Sequence, residues 1–163
     1  KYKKFKLTDL FDIVENNSNQ ILISEAESLP DGNIGVVSSS EKNNGISKFV
    51  DMDQVIGYKI FEEGCMTLAK NGTVGTAFYH DTKIVTTTDV IVLKYKYGKL
   101  NKELGLYYKI LIEKNQFKFN YGRKISGDRI NEIILNVPVD SHGNPNREIM
   151  EKTVRLNKYY KYI

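Results

Sequence analysis

The chain is poor in the residues that most often carry chemistry or covalent cross-links, with one cysteine, two histidines and three prolines in 163 residues. A lone Cys65 excludes an intramolecular disulfide framework and leaves no cysteine cluster for zinc, which fits a reducing cytoplasm. Within the apolar run Cys65-Met66-Thr67-Leu68-Ala69 it reads as a small buried hydrophobe. His80 and His142 have no acidic or cysteine partner at metal-ligand spacing such as His-Glu-x-x-His. No apolar stretch approaches the roughly 20 residues that span a bilayer, and the basic N-terminus leads into no signal-peptide core. The expectation is a soluble, cytoplasmic protein with no membrane contact, and the opening at Lys1 fits a piece of a longer chain.

Catalytic signatures are scarce as well. Ser38, Ser39 and Ser40 lack the Gly-x-Ser-x-Gly context of an activated nucleophile and read as loop hydroxyls. Asn71-Gly72-Thr73-Val74-Gly75 has two glycines but no Walker lysine, and it lies between strand-like runs instead of opening a helix. A metal-dependent nuclease needs clustered carboxylates with a lysine; Asp140, Glu151 and Lys152 supply the types, but Glu151 falls on an expected helix. Asn144-Pro145-Asn146 lacks the second proline and the aromatic of a base-holding methyltransferase turn. The chain is expected to hold no cofactor and perform no chemistry by itself.

What is present suits a folded binding domain. Hydrophobic residues make up 40% and charged residues 27%, which supports one domain with a core and excludes disorder. The net charge of +4 and pI near 9.0 make polyanions plausible partners, with basic residues gathered at Lys1 to Lys6 and from Lys114 to Arg129. Thr8 to Val14 has helical spacing, Ile21-Leu22-Ile23 reads as a short strand, and Leu29-Pro30-Asp31-Gly32-Asn33 as a turn with Gly32 at positive φ. Strands are expected at Ile34–Ser38, Ile46–Val50, Cys65–Ala69, Thr76–Tyr79 and within the β-branched stretch Lys83–Lys96. Between the first two, Ser38 to Gly45 is wholly polar and closes on Asn-Asn-Gly, an exposed turn. Asn101 caps a helix through Glu113, buried on most of its surface, and Asp128 to Asn136 reads as a helical turn followed by a strand. Asn144 as N-cap and Pro145 at the first position announce a terminal helix through Tyr162. The fold class is therefore α+β, with a mixed or antiparallel sheet, one or two buried helices and a C-terminal helix.

Two segments carry binding chemistry. Lys114 to Lys124 interleaves cations, aromatics and amides: lysine and arginine meet phosphates, while amides and arginine make paired bonds to base edges. Its alternative is a basic edge strand with Phe117 and Phe119 pointing inward and the lysines outward. Lys42-Asn43-Asn44 is either a turn or a turn that reads adenine.

Together these segments resemble the target-recognition domains of Type I restriction-modification DNA-specificity (S) subunits and of related fused Type II enzymes. The resemblance is carried in order by Phe5 to Ile13, Val36 to Ile46, Thr67 to Tyr79, Thr87-Thr88-Asp89-Val90, Phe119 to Lys124, and Pro138-Val139 before a helix containing Met150-Glu151. It departs after Gly143-Asn144-Pro145, where the family often places an acidic residue and an aromatic and this chain has Asn146 and Arg147. The resemblance implies a recognition domain over 1–143 and a spacer-like helix over 144–163, with Tyr159, Tyr160 and Tyr162 as an interface stub. It implies binding of double-stranded DNA beside a DNA methyltransferase, which would hold S-adenosylmethionine and make N6-methyladenine, and pairing with a second recognition domain. Lys118, Arg123, Lys124 and Arg129 would hold phosphates; Lys42, Asn43, Asn44, Asn71, Thr73 and Tyr121 would sit on loops that enter a groove. The competing readings are a small metal-dependent nuclease and a general nucleic-acid or protein interaction module.

Overall fold

The computed structural model describes residues 1–14, 20–119, 124–125 and 127–157. In chain order it forms β1 (Tyr2–Lys6), α1 (Leu7–Leu10), β2 (Phe11–Val14), α2 (Ile23–Glu27), β3 (Asp31–Val37), β4 (Ile46–Val50), β5 (Cys65–Ala69), β6 (Ala77–His80), β7 (Ile84–Thr86), β8 (Val90–Tyr95), α3 (Lys102–Glu113), β9 (Ile134–Pro138) and α4 (Arg147–Leu156). Short 3-10 turns fall at Asn43–Gly45, Met52–Gln54, Gln116–Phe119 and Gly127–Glu132.

The strands sort into a central sheet of order β2-β8-β5-β6, a mixed sheet of order β4-β3-β7, and the ribbon β1-β9. Alternation along β5 explains how the central sheet is covered. Met66 and Leu68 face one way, into a core with Leu104, Tyr108 and Ile112 of α3 and Leu135 and Val137 of β9. Cys65 and Ala69 face the other way, against Val37 of β3 and Ile84 of β7. The central sheet is thus sandwiched between a helical layer and the mixed sheet, an α+β arrangement. Among the described residues, no helix is long and apolar enough to cross a membrane.

Helix α3 begins where Asn101 accepts the Leu104 N–H at 2.8 Å. Its buried face is Leu104, Gly105, Tyr108 and Ile112, whereas Ile110, expected in the buried surface, is 48% exposed. Gly105 is required by contact: a Cβ there would stand 2.6 Å from the Tyr79 side chain, so the helix lies directly on β6. The helix also covers that strand's outer edge. Glu113 accepts the Ala77 N–H, and Lys109 donates to the Ala77 carbonyl, so an edge that would otherwise present unpaired groups is closed. The Asn101 side chain also donates to Glu151 of α4 at 2.9 Å. Asn101→Ala therefore removes a cap and a helix–helix bond, and the expected cost is about 1 kcal/mol, read as a lowered denaturation midpoint with unchanged m-value.

Several local expectations change. Ile21 to Ile23 is not a strand: Ile21 is buried and donates its N–H to the Thr86 carbonyl, and the chain turns into α2 at Ile23. Gly32 lies inside β3 and is not at positive φ; it is needed because a Cβ would meet the Asp51 backbone at 2.4 Å. The terminal helix is capped by Asn146, whose side chain accepts the Ile149 N–H, and not by Asn144, because Pro145 bridges to Val139 and delays the helix. Residues 158–163, including Tyr159, Tyr160 and Tyr162, lie outside the described residues.

Candidate nucleic-acid interface

Four connections meet at one end of the sandwich: 38–45 between β3 and β4, 70–76 between β5 and β6, 87–89 before β8, and 115–132 between α3 and β9. They are fastened to one another. The Thr73 hydroxyl donates to the Ser39 carbonyl at 3.0 Å, and Gly72 lies so close to Ser39 that a Cβ would stand 2.5 Å from its hydroxyl oxygen. Asn71 donates to the Asp89 carboxylate at 3.2 Å, and the Lys70 N–H to the Asp89 carbonyl at 2.9 Å. Gln116 donates to the Val74 carbonyl and the Thr76 hydroxyl. Since isolated loops would be mobile, this cross-bonding makes a single preorganised surface out of them.

The 38–45 tip has an unusual backbone. Asn43 and Asn44 both take left-handed conformations, with φ of 52° and 60°, before Gly45 at 77°. Asparagine tolerates this region better than most residues, and the surroundings hold it there. Asn44 donates its amide to the Tyr79 carbonyl at 2.7 Å, on the outer edge of β6, so its side chain clamps the tip to the sheet. Gly45 packs on the Phe78 ring. Lys42 and Asn43 are left exposed at the apex.

The other expected contact residues divide similarly. Asn71 and Thr73 are half-buried, and the bonds above use them to join loops. The Asn71 Oδ1 is enclosed without a hydrogen-bond partner among the described residues. Lys118 donates to the Asn115 side chain at 2.8 Å and to the Glu132 carbonyl, and Arg129 donates to the Lys118 carbonyl, the Lys124 carbonyl and the Glu132 carboxylate. These two cations brace the 115–132 segment. Lys124 is exposed beside them. Tyr121 and Arg123 lie outside the described residues. Of the carboxylates among the described residues of these connections, Glu132 is paired with Arg129 at 3.0 Å, Asp89 holds Asn71, and Glu41 and Asp128 are exposed.

Sequence reasoning placed Asn115, Gln116 and Phe117 in the binding segment without giving any of them a role of its own. Asn115 is 5% exposed and fixes the end of α3 to β9, donating to the Leu111 and Ile134 carbonyls and accepting the Ile134 N–H. Gln116–Phe119 is a 3-10 turn and not an edge strand, which changes the facing of the two aromatics: residues two apart share a strand face but lie on different sides of a three-residue turn. Phe119 goes inward and Phe117 goes out.

The residues proposed for other chemistries are occupied. Asp140 accepts the N–H groups of His142 and Asn144, while Glu151 is held by Asn101 and by Arg147 at 2.7 Å. Among the described residues no group of three His, Cys, Asp or Glu side chains is placed to hold a metal ion. Burial pushes the Cys65 thiol up to about 12, so it stays protonated at neutral pH.

A rigid α+β body that ends in interlocked polar loops defines a recognition domain. Comparison with known proteins makes the class specific. The chain belongs to the family of the Type I restriction modification DNA specificity domain, whose model matches residues 1–161. It is 30% identical over 151 residues to the Type II restriction enzyme BgcI specificity subunit S.BcgI of Heyndrickxia coagulans, a match covering 93% of this chain and 42% of that protein. The chain therefore spans about two fifths of that relative's length. Its fold is similar to the S subunit of a Type I restriction-modification system from M. genitalium, with a TM-score of 0.58 and 19% identity over 83% of this chain and 34% of that one. It is also similar to the HsdS subunit of Thermoanaerobacter tengcongensis, with a TM-score of 0.60 and 11% identity over 99% of this chain and 38% of that one.

Proposed function

We propose that the loop end reads a short double-stranded DNA sequence on behalf of a partner enzyme that performs the chemistry. The observation that carries this reading is the fastening of four polar connections into one surface, with Lys42, Asn43 and Lys124 left exposed on it. Membership of a DNA-specificity domain family supports it. Cations set register on the phosphates, and exposed amides meet base edges. Asn43 is the amide exposed at the apex, while Asn44, Asn71 and Thr73 hold the loops that present it; Tyr121 and Arg123 are assigned to the same surface from sequence. The partner is a DNA methyltransferase subunit or fused domain, which binds S-adenosylmethionine, acts in the cytoplasm and methylates an adenine. In this reading α4 packs on that partner or on a second recognition domain, and its exposed Ile149 and Leu156 fit such a contact.

Selection of bound duplexes from a random pool tests the reading, because an enriched motif is required by specific readout. Within that assay, Asn43→Ala changes which bases are enriched. Lys124→Ala weakens all duplexes alike and lowers the salt slope by about 1. A pool that returns without enrichment leaves a general nucleic-acid module and refutes the proposal.

A further inference from the structure

Phe117 is 68% exposed, the most exposed aromatic side chain among the described residues. An isolated exposed apolar residue is ordinary on a mobile loop. This one is held still. Asn115 on one side is buried and triply bonded, Gln116 is bonded to the 70–76 connection, Lys118 is bonded to Asn115 and Glu132, and Phe119 is buried under the Arg129 guanidinium, 4.8 Å from its ring. Every neighbour in the turn is anchored, so the ring has no route inward. A rigid anchor displayed outward has already met the ordering cost of binding.

The setting indicates what covers it. The ring stands among cations, with the Lys118 amine 5.9 Å from its centroid and exposed Lys114 and Lys124 on the same segment. A protein partner's apolar patch would have to approach through these charges, whereas a duplex presents phosphates to the lysines and flat, uncharged bases between them. We infer that Phe117 is the apolar contact of the loop end with DNA, its ring packed against bases in a groove while the surrounding lysines meet the phosphates. This rests on the DNA-reading function proposed above and adds to it a residue and a contact type.

The chain contains no tryptophan, so Phe117→Trp places a sole indole reporter at the point of contact. The probe is the duplex that the unaltered chain enriches from a random pool. Three results are expected: quenching of the Phe117→Trp emission on titration with that duplex, binding weakened about tenfold in Phe117→Ala with an unchanged salt slope, and an unchanged melting temperature, since an uncharged contact releases no counterions and the ring supports no core. Full affinity of Phe117→Ala together with unaltered Phe117→Trp emission would overturn the inference alone. Normal DNA binding by Phe117→Ala with failed assembly onto a methyltransferase subunit would also overturn it, assigning the ring to a protein contact. If the unaltered chain enriches no duplex, the DNA reading falls and this inference falls with it.

Discussion

Arg129→Ala is expected to lower stability by about 2–3 kcal/mol, since it removes charge-assisted bonds that no other side chain replaces. The guanidinium donates to the Lys118 and Lys124 carbonyls and the Glu132 carboxylate, and it covers the Phe119 ring. Its side chain is 23% exposed, so the Glu132 pair contributes little and the two carbonyls and the ring contribute most. For a domain of this size the change corresponds to a melting temperature lower by roughly 4–12 °C. DNA binding should fall for every sequence tested, because the arginine braces the segment that carries Phe117 and Lys124. Measured well below the melting transition, its salt slope should change less than that of Lys124→Ala. A variant with unaltered melting temperature and a slope lower by about 1 would make Arg129 a phosphate contact and no brace. Arg129→Lys is a useful companion, since a lysine keeps the charge but cannot reach three divergent acceptors with one planar fork.

The contrast between Arg129 and Lys124 marks where sequence reading reached its limit. Composition placed both in one basic stretch and the family resemblance gave both to phosphates, and they are neighbours in the structure. Which of them faces solvent depends on whether a carbonyl lies within reach, and that is decided by chain folding 5 to 11 residues away. The same holds for the amides. Asn43 and Asn44 are indistinguishable as turn formers, yet only Asn44 meets the β6 edge. Elements whose signals are local and concordant were legible: α3 with its Asn101 cap, the β-branched β8, and the polar hairpin before β4. Short apolar runs were not. Ile21-Leu22-Ile23 has strand composition, but Leu22 is 56% and Ile23 39% exposed, and their path is fixed by long-range contacts, the bond from Ile21 to Thr86 and the burial of Ile21. Phe117 illustrates the cost of choosing a period: a two-residue repeat turns it inward, and the three-residue turn that forms turns it toward solvent.

His80 makes stability depend on pH in a definite window. On β6 it faces Cys65 and Thr67 across the strand pair, between the central and mixed sheets, and is 1% exposed. Its Nε2 lies 2.8 Å from the Thr67 hydroxyl, and its Nδ1 has no hydrogen-bond partner among the described residues, so the imidazole is held neutral in an apolar layer. Burial lowers its pKa from 6.5 to about 4. Above pH 6.5 both folded and unfolded chains carry it uncharged, and it contributes no pH dependence. As pH falls below 6.5 the unfolded chain takes up a proton that the folded chain refuses, so stability declines until about pH 4, where both are protonated and the loss levels off at about 3 kcal/mol. Between pH 7.5 and 5 the loss is about 2 kcal/mol, a window chosen to lie above most carboxylate titration. The other histidine, His142, is exposed on a turn. Urea midpoints measured across that window should fall for the unaltered chain and stay nearly level in His80→Gln, whatever the absolute stability of that variant. An equal slope in both would remove His80 from the account.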